Sequence, residues 1–318
     1  MRVAVTGSAG CLAAALLPRL LAEPRVTSVL GLDLRPARLR HARYTEHLVD
    51  LRRPGLEALL AGFDAVVHLA ALVLPRPWQR PSRALRREHT LALGLNVYEA
   101  ARRAGVARFV HASSAAAYGA WPDNPARLTE DAPLRPNPGF AYAEDKAALD
   151  IALRGAAARG GPALVNLRMH AIVGPHAQPL LRALLRQPFH PRLPDPQPLL
   201  QCLWEGDAAG AIVHALFHGP PGTYNISAQP PLAFRDLHRR LHRRSRAVPA
   251  RVWFGVHRRV ARLWPAAGEP QALAALAAPL VLDTTRAESL LGWRPVYDTA
   301  GCVEALGRTL HHEGSRHG

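Results

Sequence analysis

The stretch "MRVAVTGSAGCLAAALLPRLLAE", Met1 to Glu23, decides the fold. Alternating valines, a glycine turn and then a run of alanine and leucine read as strand, turn and helix. Within it, Thr6-Gly7-Ser8-Ala9-Gly10-Cys11-Leu12-Ala13 has the spacing G-x-x-G-x-x-A. The two glycines permit a tight turn and let the backbone come close to a pyrophosphate, whose charge then meets a helix N-terminus. Ala13 is small enough for helix–strand packing at the third position. Such a motif alone is weak. It gains from its setting, because it follows a strand, opens a helix and precedes a strand-end acid, Asp33, by about twenty residues.

Working outward, "VTSVLGLDLRP" reads as a second strand ending at Asp33, and "HLVDLRRP" as a short third one ending at Asp50. "FDAVVHLAA" is a continuous apolar run of the kind buried on both faces of a parallel sheet. A helix around Arg86 to Ala104 precedes a fifth strand, "ARFVHASS". A second helix begins near Tyr142, and "ALVNLRMHAIVG" supplies a sixth strand. Strands alternating with helices predict an α/β protein with an open, doubly wound parallel sheet, the Rossmann arrangement. Residues 1–170 form the dinucleotide-binding domain in this reading, with the strand near 164–174 completing its sheet. Residues 175–318 form a smaller, mainly helical substrate-binding portion, some of whose segments return to the first domain.

In such a sheet the phosphate turn, Gly7, Ala9, Gly10, Cys11 and Leu12, would cradle a dinucleotide. Asp33, with Leu34 beside it, would accept from the adenosine ribose hydroxyls. A carboxylate there repels a 2′-phosphate and favours NAD over NADP, although Arg35, two residues on, could hold that phosphate. Asp50 and Leu51 would meet the adenine. Cys11, at a helix N-terminus, reads as a small turn residue or as a perturbed thiol.

Composition narrows the setting. The chain has 318 residues and 48% hydrophobic content, enough for a large core. An apolar strand starts at Val3, so no signal peptide is read, and the longest apolar run, Ala272 to Leu282, is too short to cross a bilayer. Cys11, Cys202 and Cys302 lie far apart without C-x-x-C spacing, so neither a disulfide framework nor a metal site is expected. A reducing, cytoplasmic setting follows. The net charge of +16 is concentrated between Leu237 and Trp264, which carries nine arginines and no acid. There Trp253, Val256, Val260, Leu263 and Trp264 recur at helical spacing. The ordinary reading is an amphipathic helix whose apolar stripe joins the core, with solvated arginines. A basic face lying on a membrane is the alternative, and no nucleic-acid partner is expected.

Among 40 basic residues, Lys146 is the single lysine. A composition that prefers arginine wherever either cation serves keeps lysine where a compact ammonium with rotatable donors is needed. It lies four residues after Tyr142 in "FAYAEDKAALD", hence on the same helical face.

These residues resemble the extended short-chain dehydrogenase/reductase family, which includes the NAD-dependent epimerases and dehydratases. The likeness is carried by "VAVTGSAG", "DAVVHLAA", "RFVHASSAAAYG", "YAEDK", "LRMHAIVGP", "WEGDAAGAIVHAL", "GTYNISA" and "DTTRAESLLGWRP", in that order. The resemblance implies Tyr142 as general acid/base, Lys146 as the cation that binds the nicotinamide ribose and Ser114 as the hydroxyl that holds the reacting oxygen. Tyr142 and Lys146 thereby also belong to the cofactor site. Leu69, Ala70 and Ala71 would line the cofactor at the end of the fourth strand. A phenol of ordinary pKa near 10 must come down by about 3 units to act near neutrality.

Around that set, Ser113 reads as structural or as a substrate neighbour, Tyr118 as a substrate contact or an aromatic packed under its loop, and His170 as a substrate contact. His68 and His111 read as core histidines satisfied by backbone. The family's nucleotide-sugar binders usually carry asparagine where Ala171 stands and arginine where Leu200 stands, and a second arginine has no clear counterpart near "PAAGEPQA". Ser114 is followed by Ala115 and Ala116 where a dehydratase usually has an acid. The expectation is an NAD-dependent epimerase-type oxidoreductase acting on a sugar, in particular a nucleotide sugar, and working as a homodimer through the helices at 86–104 and 142–158. The alternative is a dehydrogenase or reductase of a non-nucleotide hydroxy or keto substrate. A non-catalytic cofactor-binding or membrane-associated scaffold is the third.

Overall fold

The computed structural model describes residues 1–71, 82–176, 189–194, 197–241, 244–263, 271–272 and 275–314. The strands of the first half are β1 (Arg2–Thr6), β2 (Ser28–Asp33), β3 (Tyr44–Leu48), β4 (Ala65–His68), β5 (Arg108–Ser114) and β6 (Ala163–Met169). The second half adds β7 (Ile172–Val173), β8 (Phe189–Arg192), β9 (Leu199–Leu200), β10 (Leu203–Trp204), β11 (Gly222–Ile226), β12 (Leu232–Ala233) and β13 (Arg244–Ala247). The helices are α1 (Cys11–Ala22), α2 (Leu56–Leu60), α3 (Arg83–Arg103), α4 (Ala141–Ala158), α5 (Glu205–Phe217), α6 (Phe234–Arg240), α7 (Ala250–Leu263) and α8 (Thr299–Gly314).

Seven strands form one sheet in the order β11-β6-β5-β4-β1-β2-β3, every pairing parallel. Successive side chains of a strand face opposite ways, and both faces of the central strands are covered. Val3, Val5, Val67, Val110 and Leu167 point into a core closed by Leu16 and Leu20 of α1 and Ile212 and Leu216 of α5. Ala4, Val66 and Phe109 point the other way, against Val97 of α3 and Leu149 and Leu153 of α4. That is why the strands read as continuous apolar runs. The chain leaves β1 for β2 and β3 on one side and returns to β4 on the other. The crevice between the ends of β1 and β4 is therefore the switch point at which open α/β sheets bind ligands.

The edge strand β11 comes from late in the chain, where the loss of regular alternation predicts mainly helix. Its central residues are buried, Tyr224 at 1% exposure and Ile226 at 0%, and it pairs with β6 over five residues. Nearby, the buried Asp207 carboxylate accepts from the amides of Val296 and Tyr297 (3.0 and 3.1 Å), and Trp293 Nε1 donates to the Asp207 carbonyl (3.2 Å). This clasp ties the segment "GWRPVY" to α5. The third strand ends at Leu48 rather than Asp50, because Asp50 turns back to accept from the amide and guanidinium of Arg52.

One expectation is overturned. Val256 and Val260 of the apolar stripe do not join the core. α7 turns Ala261 inward, while Val252, Val256 and Val260 stand 49%, 53% and 40% exposed. Trp253 is only half-buried, and Trp264 lies outside the described residues. Among the described residues no helix is long and apolar enough to cross a membrane.

Candidate functional site

The phosphate turn has the geometry a dinucleotide needs. Gly7 has a φ of +74°, and a Cβ there would meet the backbone of Ala70 at 2.7 Å and of Leu69 at 2.9 Å. Only glycine fits at this place, where the β1 turn presses against the end of β4. Gly10 caps α1 without any side-chain hydrogen bond, so no side chain competes for the amides of the first turn. The Asp33 carboxylate accepts from the Ala9 amide with one oxygen (3.1 Å) and from the Arg35 amide with the other (3.1 Å). It thereby locks the turn to the end of β2, beside the exposed Leu34. Cys11 is exposed and opens α1 as its first residue. Leu51 is buried, and burial counts for less at Asp50, where the hydrogen-bonded Arg52 pulls the carboxyl down to about 2. Leu69, Ala70 and Ala71 follow β4 directly, with the Leu69 amide held by the Thr6 carbonyl (3.1 Å). An adenine nucleotide fits this cradle: a glycine-lined approach, a helix N-terminus without a side-chain cap and a carboxylate at the end of the second strand.

Tyr142, Lys146 and Asp150 fall on one line of α4, four residues apart, over the end of β5. Burial pushes the Tyr142 phenol up, and a hydrogen bond with the Ser114 side chain acts against that. Ser114, the last residue of β5, also accepts from the Ala116 amide (3.2 Å), which starts a short 3-10 turn. Lys146 Nζ donates to the Ala112 carbonyl (2.7 Å). Burial pushes its ammonium down to about 8, with the Asp150 carboxylate pulling the other way. The site thus brings the phenol, the serine hydroxyl and the single lysine together beside the crevice.

Beneath them lies a polar network that the sequence reading did not single out. Asp150 is fully buried and accepts five hydrogen bonds, from Ser113 Oγ, Asn166 Nδ2, Arg154 Nε, and Nε and Nη2 of Arg168. Burial works to raise its carboxyl, but Arg168 outweighs it and holds the group below the ordinary carboxylate range. Arg168 Nη1 donates on to the Tyr118 hydroxyl (2.8 Å), which donates to Asn225 Oδ1 of β11 (2.7 Å). Two signals could have found this network: an arginine in an apolar strand, and an acid one helical turn beyond the lysine.

The network gives partners to the candidates around Tyr142, Lys146 and Ser114. Ser113 belongs to Asp150. Tyr118 is 1% exposed and lies under its loop, its phenol pushed up to about 12 by burial. His170 bonds the Leu280 carbonyl through Nε2 (3.1 Å) and accepts the Ala171 amide at Nδ1 (2.8 Å). His68 and His111 are core histidines, but their partners are side chains rather than backbone: Thr6 Oγ1 (2.7 Å) and Asn166 Oδ1 (2.8 Å). Asn166 gives its amide protons to Asp150, so its oxygen must accept and His111 Nδ1 carries the proton. Leu200, at the place of the arginine usual in nucleotide-sugar binders, lies in β9 opposite Leu232, and Ala171 is exposed. "RPWQR" and most of "PAAGEPQA" lie outside the described residues. Among the described residues no group of three metal-binding side chains occurs.

Three comparisons bear on the site. The family model described as NAD dependent epimerase/dehydratase family matches residues 3–227. An uncharacterized protein of Mycobacterium tuberculosis is 31% identical over 314 residues, covering 96% of this chain and 82% of that protein. Among solved structures, a dTDP-glucose 4,6-dehydratase of Streptomyces venezuelae with NAD bound is 25% identical with a TM-score of 0.76, over 99% of this chain and 98% of that one. A UDP-glucuronic acid 4-epimerase of Bacillus cereus in complex with NAD reaches a TM-score of 0.75 at 18% identity, over 98% and 99% of the two chains.

The buried histidines predict how stability responds to acid. Burial pushes His111 down to about 3, His170 to about 4 and His68 well below its ordinary value. In the unfolded chain all three take up protons near pH 6.5. Below that pH the unfolded state binds more protons, so stability is lost as pH falls, by about 1.4 kcal/mol per pH unit for each group still neutral in the fold. The urea midpoint should drop between about pH 6.5 and about pH 4, and His170→Gln should make the drop shallower. A midpoint constant across that window would show the histidines to be charged in the folded protein.

Proposed function

Since this chain belongs to the NAD-dependent epimerase/dehydratase family, we propose that it is an epimerase-type enzyme that oxidises and re-reduces a hydroxyl-bearing carbon of a sugar, in particular of a nucleotide sugar. The observation that carries the reading is the meeting of Tyr142 with Ser114 beside the crevice between β1 and β4, with Lys146 one helical turn below. When bound, NAD supplies the hydride acceptor and, in its oxidised form, a positively charged ring.

The chain's own groups handle the proton. Ser114 holds the reacting oxygen, and Tyr142 takes the hydroxyl proton and gives it back. The phenol is raised by burial, so fixed positive charge must bring it down, and the Lys146 ammonium is the cation at hand. Gly7, Ala9, Gly10, Cys11 and Leu12 hold the pyrophosphate. Asp33 and Leu34 hold the adenosine ribose, Asp50 and Leu51 meet the adenine, and Leu69, Ala70 and Ala71 line the path to the nicotinamide. Dehydration is disfavoured, since Ala115 and Ala116 follow Ser114 and Asp150 is committed to Arg168.

A second reading, a dehydrogenase or reductase of a non-nucleotide substrate, is favoured by Leu200 and Ala171 standing where nucleotide-sugar binders carry arginine and asparagine. The two readings separate in thermal unfolding with saturating NAD and added UDP, dTDP, GDP or CDP. A nucleotide at about 100 times its dissociation constant contributes roughly 2.7 kcal/mol, a shift of a few degrees. One nucleotide that shifts the midpoint supports the sugar-nucleotide reading; no shift with any, while NAD alone stabilises, supports the other.

Tyr142→Phe should keep the stabilisation by NAD and lose about 10²- to 10⁴-fold in turnover. Lys146→Arg should fold but lose most activity, because a planar guanidinium does not reproduce an ammonium that is 9% exposed and aimed at the Ala112 carbonyl. Normal turnover in either variant would remove the proposed roles. The reading also includes a homodimer through α3 and α4, supported by Leu85 and Ile151, which stand 41% and 54% exposed on those helices. Light scattering at micromolar concentration should give twice the chain mass, and a monomer would remove this part.

A further inference from the structure

We propose that α7, with the strand β13 leading into it, docks this protein peripherally on an anionic lipid surface. Val252, Val256 and Val260 recur every four residues, so they form one stripe along the helix, and all three are exposed. Arg259 borders that stripe, about 60° round the helix from Val256, while the exposed Arg251 and Arg258, seven residues apart, lie one above the other further round, on the flank beyond Arg259. The opposite side holds the helix to the protein through the half-buried Phe254 and His257 and the buried Ala261. Two further exposed arginines, Arg244 and Arg246, alternate on one face of β13. Among the described residues none of these five arginines forms an ion pair. From Leu237 to Trp264 the sequence offers no acid that could neutralise them.

Charge and shape together select the partner. A helix of 14 residues is too short to span a bilayer, which takes about 20. One with an exposed aliphatic stripe, an arginine at its edge and two more on the flank beyond matches the interface of an anionic membrane. Valines enter the acyl boundary there, while long cationic side chains reach the phosphate headgroups. RNA would use the arginines but leave three exposed valines without a role, since single strands are held by cations and aromatic stacking. A second copy of the chain would bring the same acid-free surface against itself, arginine to arginine. The proposal is independent of the substrate and of the reaction direction.

Sedimentation of the full chain with vesicles of phosphatidylcholine, with and without added phosphatidylglycerol, tests it. Binding is expected to the anionic vesicles and to weaken as salt is raised. The triple variant Arg251→Gln/Arg258→Gln/Arg259→Gln should weaken it by about 10²-fold, since each arginine near such a surface contributes roughly a factor of five. The variant Val252→Ser/Val256→Ser/Val260→Ser should weaken it by about tenfold or more and remove the part that survives high salt. All six positions are at the surface; retained stabilisation by NAD checks that each variant folds, and Val256→Ser alone replaces the valine triple if it does not. Absence of binding to anionic vesicles overturns the proposal, as does binding that both variants leave unchanged. Salt-sensitive binding of polyuridylate without vesicle binding would assign the face to RNA instead. Self-association that the valine variant abolishes, again without vesicle binding, would assign it to a second copy.

Discussion

The buried pair of Asp150 and Arg168 is the constraint on which the site rests. Two full charges taken out of water are costly unless hydrogen bonds satisfy both. Here Asp150 accepts five, and Arg168 also reaches Tyr118 and the Glu130 carbonyl. These bonds join α4 to β5, to β6 and, through Tyr118 and Asn225, to β11. A helix packed by alanines alone could slide or rotate by a residue at little cost, because alanine offers no shape to hold a register. An ion pair cannot slide. With Asp150 fixed, Lys146 and Tyr142, one and two turns earlier, are fixed as well, and the phenol meets Ser114 rather than the apolar strand beside it.

The same economy of charge is visible across the chain. Forty basic residues include one lysine, and that lysine is the buried one on the line of Asp150. Burial lowers its ammonium to about 8, a shift that a guanidinium would not make, since arginine stays charged in proteins.

How much of this was legible beforehand follows the range of the interactions. The strand–turn–helix start, the place of Asp33 at a strand end and the buried central strands are legible because local sterics and the two-residue period write them into adjacent residues. The Tyr142–Lys146 spacing was readable for the same reason. What escaped depends on contacts between distant segments. Periodicity near Tyr224 does not say which strand it would pair with, since its partner β6 lies some sixty residues earlier in the chain. The histidines were read as core residues, but Thr6 and Asn166 become their partners only once β1, β4, β5 and β6 align. The valines of α7 have the spacing of a core stripe; whether a stripe faces inward depends on what covers it, and periodicity is silent on that.

The late arrival of β11 has a consequence for how the molecule is made. The nucleotide-binding sheet is not complete when its first 170 residues have been synthesised. At that point β6 has a bare edge with unpaired amides and carbonyls, and the apolar face of α1 waits for α5, which lies beyond residue 204. Asn225, which receives the Tyr118 hydroxyl, is also still to come. A nascent chain paused there would present a flat, apolar strand edge beside an uncovered helix, the combination most prone to pairing with another chain. The sheet is therefore finished only when the second half of the chain has threaded back to its edge.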